Sequence, residues 1–174
     1  MWVALGSVMM LFAALVSAYI VLASTEGRRL IAIPRLLWLS TALIVASSLT
    51  FKGADRSLQQ GDGRGYSRWL GLTLVLGLAF LGSQLLAWRQ LVVQGIYLVG
   101  NPHSSFFYLL TGVHGVHLLG GILALVYLLL RNRRHVDQRE ALRKRQTAAD
   151  VVGIYWHFMD GLWVFLFLLL LLWR

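Results

Sequence analysis

The 174-residue chain contains no cysteine. That absence excludes disulfides, thioether-linked haem, cysteine-held iron–sulfur clusters and thiolate copper centres within it. Charge is scarce too: 13% of residues are charged, against about 25% in soluble domains. The longest polar stretches, 52–68 and 131–150, are too short to make a soluble domain. No internal repeat is visible, nor the inverted halves of many secondary transporters. The first apolar run lacks a positively charged leader and a small-residue cleavage site. It is therefore expected to be a retained helix rather than a signal peptide.

Apolar length is what the chain has in abundance, with 58% of its residues hydrophobic. Crossing the roughly 30 Å hydrocarbon core takes about 20 mainly apolar residues. Five stretches suit: 2–23, 36–51, 69–88, 106–130 and 153–173. The second is the shortest and most polar, and needs 31–35 to reach full length as 31–51. Pro34 then falls in a first turn, where a missing N–H costs little. The stretches are too long and too uniformly apolar for strands, and lipid demands that each backbone satisfy its own hydrogen bonds. The sequence thus predicts an all-α polytopic membrane protein, one domain over 1–174, built as a bundle of five transmembrane helices. Trp69 and Trp88 bracket the third stretch, and Tyr155, Trp156 and Trp173 the fifth, as an aromatic belt would.

A net charge of +9 could signal a nucleic-acid binder. Its distribution argues otherwise. Lys52, Arg56, Arg64 and Arg68 lie between the second and third stretches. Arg131, Arg133, Arg134, Arg139, Arg143, Lys144 and Arg145 lie between the fourth and fifth. Those loops share one side, leaving Arg28, Arg29, Arg35, Arg89 and Arg174 for the other. The positive-inside rule places the amino terminus in the cytoplasm and the carboxyl terminus outside. Within the loops, Gly53, Gly61, Gly63 and Gly65 suggest flexibility, whereas 137–146 is rich in helix formers and is expected to extend the fourth helix or form a surface helix. Ala14 with Ala18, and Thr111 with Gly115, have the small-xxx-small spacing of close helix contacts within a bundle.

The clearly intramembrane ionisable groups belong to the last two helices. His114 and His117 lie in Leu110-Thr-Gly-Val-His-Gly-Val-His-Leu-Leu-Gly-Gly121, and His157 and Asp160 in Tyr155-Trp-His-Phe-Met-Asp-Gly-Leu-Trp163. Each pair is three apart and shares a helix face. An ionised Asp at a helix centre costs about 2.5–3.5 kcal/mol on insertion scales, so Asp160 is expected to have a partner. Three chemistries are open: interhelical hydrogen bonds, a protonatable relay, and metal or haem ligation with Asp160 orienting an imidazole. Depth counts against ligation. At 1.5 Å per residue, His157 and Asp160 lie roughly 6 and 10 Å from residue 153, and His117 roughly 20 Å from residue 130. His103 suits a cap or turn before the fourth helix, and His135, among arginines, a solvated position.

Ser104-Ser-Phe-Phe-Tyr-Leu-Leu-Thr-Gly-Val-His-Gly-Val-His-Leu-Leu-Gly-Gly121 and Tyr155-Trp-His-Phe-Met-Asp-Gly-Leu-Trp-Val-Phe-Leu-Phe167 resemble the last two helices of subunit III of haem-copper oxidases. Phe12-Ala-Ala-Leu-Val-Ser-Ala-Tyr-Ile20 and Leu36-Leu-Trp-Leu-Ser-Thr-Ala-Leu-Ile-Val-Ala-Ser-Ser48 resemble the same family more loosely. The resemblance implies an accessory, non-catalytic subunit of a proton-pumping terminal oxidase in a bacterial inner membrane. It also implies no cofactor in this chain, with haem and copper in partner subunits, packing on catalytic subunit I and the other oxidase subunits, and contact with phospholipid. Many members have seven helices, whereas this chain resembles the five-helix form. The family's intramembrane glutamate, in a Ser-Glu pattern on the helix matching the first, is absent: Ser7 is followed by Val8. Similar five-helix proteins accompany nitric oxide reductases, which makes that association the alternative. A membrane cytochrome or proton conductor acting alone is a further one.

Overall fold

The computed structural model describes residues 2–25, 36–95, 102–132 and 139–172. Among them are five helices: α1 (Trp2–Thr25), α2 (Leu36–Gln59), α3 (Gly63–Val93), α4 (Pro102–Asn132) and α5 (Arg139–Leu172). Each is long and apolar enough to cross a membrane. The helices outrun the apolar stretches that announce them, because a helix needs no apolar side chains once it leaves the hydrocarbon. Residues 31–35, with Pro34, and His135 lie outside the described residues.

The expected flexible loop over 52–68 is instead a tight hairpin. Asp62 N–H donates to Ser57 O at 2.9 Å and Gly61 N–H to Leu58 O at 3.1 Å, closing the end of α2. This pattern requires a left-handed residue, and Gly61 supplies it with φ at 75°. Asp62 then caps α3: its Oδ1 accepts the N–H groups of Arg64 at 3.1 Å and Gly65 at 3.0 Å. The helix-forming stretch over 137–146 extends α5 backwards to Arg139, rather than extending α4 or standing alone.

The helices α2, α3, α4 and α5 pack in a closed ring, each against its neighbours in sequence, with α5 returning to α2. Leu70, Phe80, Ile44, Leu118, Leu125, Met159, Trp156 and Trp163 fill the interior. Trp156, expected in an interfacial belt, is wholly buried. The reason is the early start of α5, which carries residue 156 to the middle of the span. Its indole lies so close to Gly77 of α3 that a Cβ there would meet Cη2 at 2.9 Å. At the end of the ring near the hairpin, Asn132 Nδ2 donates to Gly63 O at 3.0 Å and Ser67 Oγ at 2.7 Å, fastening α4 to α3.

Helix α1 stands outside this ring and packs on α4. Its inward face is Leu5, Phe12, Val16 and Tyr19. Ala14 and Ala18 are exposed, so their spacing joins no helices among the described residues. The other small pair faces α3: Thr111 Oγ1 accepts Trp88 Nε1–H at 3.2 Å, and Leu81 lies over Gly115.

Candidate functional site

The polarity of α2 finds its use on the face turned to α3 and α5. Ser40, Thr41 and Ser47 donate their hydroxyl hydrogens to carbonyls one turn back on α2, at 2.7–2.9 Å. Their oxygen lone pairs remain for neighbours. Ser40 accepts from Gln84 Nε2 at 2.8 Å, Thr41 from Trp163 Nε1 at 3.2 Å and Ser47 from Trp156 Nε1 at 3.2 Å. The donors thus stay satisfied within one helix, as lipid requires, while the acceptors join helices. Thr50 and Thr73 add a hydroxyl pair between α2 and α3 at 2.8 Å.

Ser48 behaves differently. Its Oγ lies 2.6 Å from His157 Nδ1, so the histidine of α5 is held by α2 rather than by α4. Phe51 meets the same imidazole edge-on, with centroids 5.7 Å apart. Asp160 sits one turn further along α5, 5% exposed. It lies between Trp156 and Trp163, the two residues that clamp α5 to α2. Neither carboxyl oxygen has a hydrogen-bond partner among the described residues.

The α4 histidines have other surroundings. His117 Nδ1 pairs with Val113 O of its own helix at 2.8 Å, while Tyr155 of α5 donates to the His117 carbonyl at 2.8 Å. His114 is wholly buried, and neither ring nitrogen has a hydrogen-bond partner among the described residues. Aromatic rings from three helices surround it: Trp163 at 5.1 Å, Phe80 at 5.9 Å and Phe12 at 6.4 Å between centroids. The depth offset expected between α4 and α5 is therefore small, because Tyr155 reaches His117 and Trp163 reaches His114. Measuring depth from residue 153 places α5 too shallow when the membrane-crossing part begins at Gln146. Among the described residues no three His, Asp or Glu side chains gather as metal ligands. His103 lies in the first turn of α4.

Between α1 and α5 runs a cleft of about 670 Å³. Phe12, Val16 and Ile20 wall one side, Phe158, Leu162 and Phe165 the other, and His157 is its titratable lining residue. Val8 is half-buried and packs against the core.

A family model described as cytochrome c oxidase subunit III matches residues 6–174. The chain belongs to that family. Relatives include a probable cytochrome c oxidase subunit 3 of Nocardia farcinica, 35% identical over 94% of this chain and 81% of the relative. The cytochrome c oxidase subunit 3 of Bacillus sp. (strain PS3) is 33% identical over 95% of this chain and 80% of the relative. A probable cytochrome c oxidase subunit 3 of Mycobacterium leprae is 36% identical over 73% of this chain, and the match spans 61% of that relative. As a subunit III of a haem-copper oxidase, the chain is an integral membrane protein whose partners are other oxidase subunits.

Reading the subunit III sequence alone misses Ser48, Gln84 and the two indoles as the polar joints of the bundle. The available signal is periodic. Ser40, Ser47 and the neighbouring Thr41 and Ser48 recur at the seven-residue spacing of one helix face, on the segment least apolar of the five.

Proposed function

We propose that the chain is the accessory, non-redox subunit III of a proton-pumping terminal oxidase. In this reading it packs against catalytic subunit I in a bacterial inner membrane and supports that subunit's assembly and proton uptake. The family match across residues 6–174 carries the reading. Haem and copper belong to the partner subunits; this chain has no thiolate, and His157, His117 and His114 are engaged with Ser48, with their own helix backbone and with aromatic rings respectively. The cleft between α1 and α5 suits a phospholipid acyl chain, since its walls are largely apolar and its volume falls within the roughly 300–1,000 Å³ of ligand pockets. The names of the bacterial relatives favour an oxidase over a nitric oxide reductase association.

Affinity purification of the full chain from native membranes in mild detergent tests this. The expected result is recovery of a haem-bearing partner and a complex that consumes oxygen. Recovery of this chain alone under conditions that preserve complexes overturns the proposal, and a complex that consumes nitric oxide instead of oxygen reassigns it.

A further inference from the structure

His157 is fixed from one side by α2, through Ser48 Oγ at 2.6 Å from Nδ1 and the Phe51 ring edge-on. The direction of that hydrogen bond follows from the neighbouring hydroxyls. Ser40, Thr41 and Ser47 give their hydrogens to carbonyls of their own helix, whereas Ser48 makes its one hydrogen bond among the described residues to the imidazole. Its hydrogen therefore goes to Nδ1, and a neutral imidazole that accepts at Nδ1 carries its own hydrogen on Nε2. Nε2 has no hydrogen-bond partner among the described residues, and the half-buried ring lines the cleft between α1 and α5. A largely apolar cleft thus receives a donor from its α5 wall.

Depth restricts what accepts from it. The membrane-crossing part of α5, Gln146–Leu172, is centred on Met159, so His157 lies roughly 3 Å from the midplane at 1.5 Å per residue. Phospholipid esters and headgroups begin at the edge of a roughly 30 Å core, roughly 12 Å away along the membrane normal. An acyl chain fills the walls but leaves the N–H unpaired, a burial that costs free energy. A partner's transmembrane helix has its carbonyls engaged in its own backbone bonds. A ring ketone dissolved in the hydrocarbon meets the requirement, and Phe12, Phe158 and Phe165 offer it aromatic faces. We infer that the cleft between α1 and α5 binds a prenylated quinone, with one ring carbonyl accepting from His157 Nε2–H and the isoprenoid tail lying along the apolar walls. The volume of about 670 Å³ suits the ring with part of its tail. The inference deepens the reading of this cleft as a lipid site. It concerns binding, with no electron transfer, and does not depend on which partner the chain has.

Titration of the full chain in phospholipid nanodiscs with decylubiquinone, 13C-labelled at its ring carbonyls and followed by infrared spectroscopy, tests the inference. The disc lipid competes throughout. The expected result is saturable binding above that of protein-free discs, with one carbonyl stretch moved to lower frequency by the hydrogen bond. His157→Phe is expected to weaken binding about tenfold, equivalent to about 1.4 kcal/mol, and to abolish the shifted band. His157→Gln, which keeps an N–H donor, is expected to retain both. Gly161 lines the cleft with free space beside it, so Gly161→Leu is expected to fill the site and remove saturable binding. Uptake no greater than that of empty discs, the outcome if acyl chains hold the cleft, overturns the inference, as does an unshifted carbonyl in the wild type. Both of those readings stand even if a variant misfolds. Wild-type binding by His157→Phe or by Gly161→Leu overturns it too. All are made on the chain alone, so they are separate from the recovery of a haem-bearing partner.

Discussion

His114 has no hydrogen-bond partner among the described residues yet sits at the meeting point of α1, α3, α4 and α5, with Phe12, Phe80 and Trp163 around its ring. An imidazole in that position contributes shape and aromatic contact while leaving two nitrogens unpaired. Replacing a buried unpaired polar group by an apolar one of similar shape is close to neutral or stabilising. His114→Phe is accordingly expected to keep the thermal midpoint in detergent or raise it, by up to about 1 kcal/mol in stability. A loss of several kcal/mol would reveal a polar partner that His114 cannot do without. Sequence reading singles out His114, His117, His157 and Asp160 because ionisable groups in apolar runs are conspicuous. Their partners are harder to read. Ser48 and Thr41 are ordinary residues whose roles arise only when α5 lies alongside, and that register depends on where α5 begins.

At the scale of elements, the α2–α3 hairpin separates glycines that look alike in sequence. Gly61 occupies the left-handed position that ends α2, whereas Gly63 opens α3 with free space around it. Gly61→Ala is expected to lower stability by about 1 kcal/mol through strain, and Gly63→Ala to raise it by a few tenths to about 1 kcal/mol through the unfolded chain. Thermal unfolding of the two variants side by side checks the opposite signs. The number and helical nature of the elements are legible because five apolar runs leave few alternatives. Their ends are not, since hydropathy marks the stretch inside lipid and is silent about the helix outside it. The glycines of 53–65 mislead for the same reason: Gly53 and Gly65 lie within helices, packed beside Trp69 and Asp62 respectively.

For the whole molecule, the ring of α2 to α5 with α1 on its flank fixes which connections share a side, while the charge distribution selects the side. The chain's lack of cysteine makes this directly measurable. Gln60→Cys marks the hairpin, and Gln94→Cys marks the opposite end of α3. With the amino terminus in the cytoplasm, a membrane-impermeant maleimide is expected to label Gln94→Cys in intact cells and Gln60→Cys only after permeabilisation. The opposite pattern inverts the orientation. The closed ring also has a consequence for the order of synthesis. The last helix made, α5, carries Trp156 and Trp163, which dock on hydroxyls of α2, one of the early ones. Because Thr41 and Ser47 keep their own donors satisfied within α2, that helix can wait in lipid without an exposed hydrogen-bond donor on these side chains until the ribosome has delivered its partner.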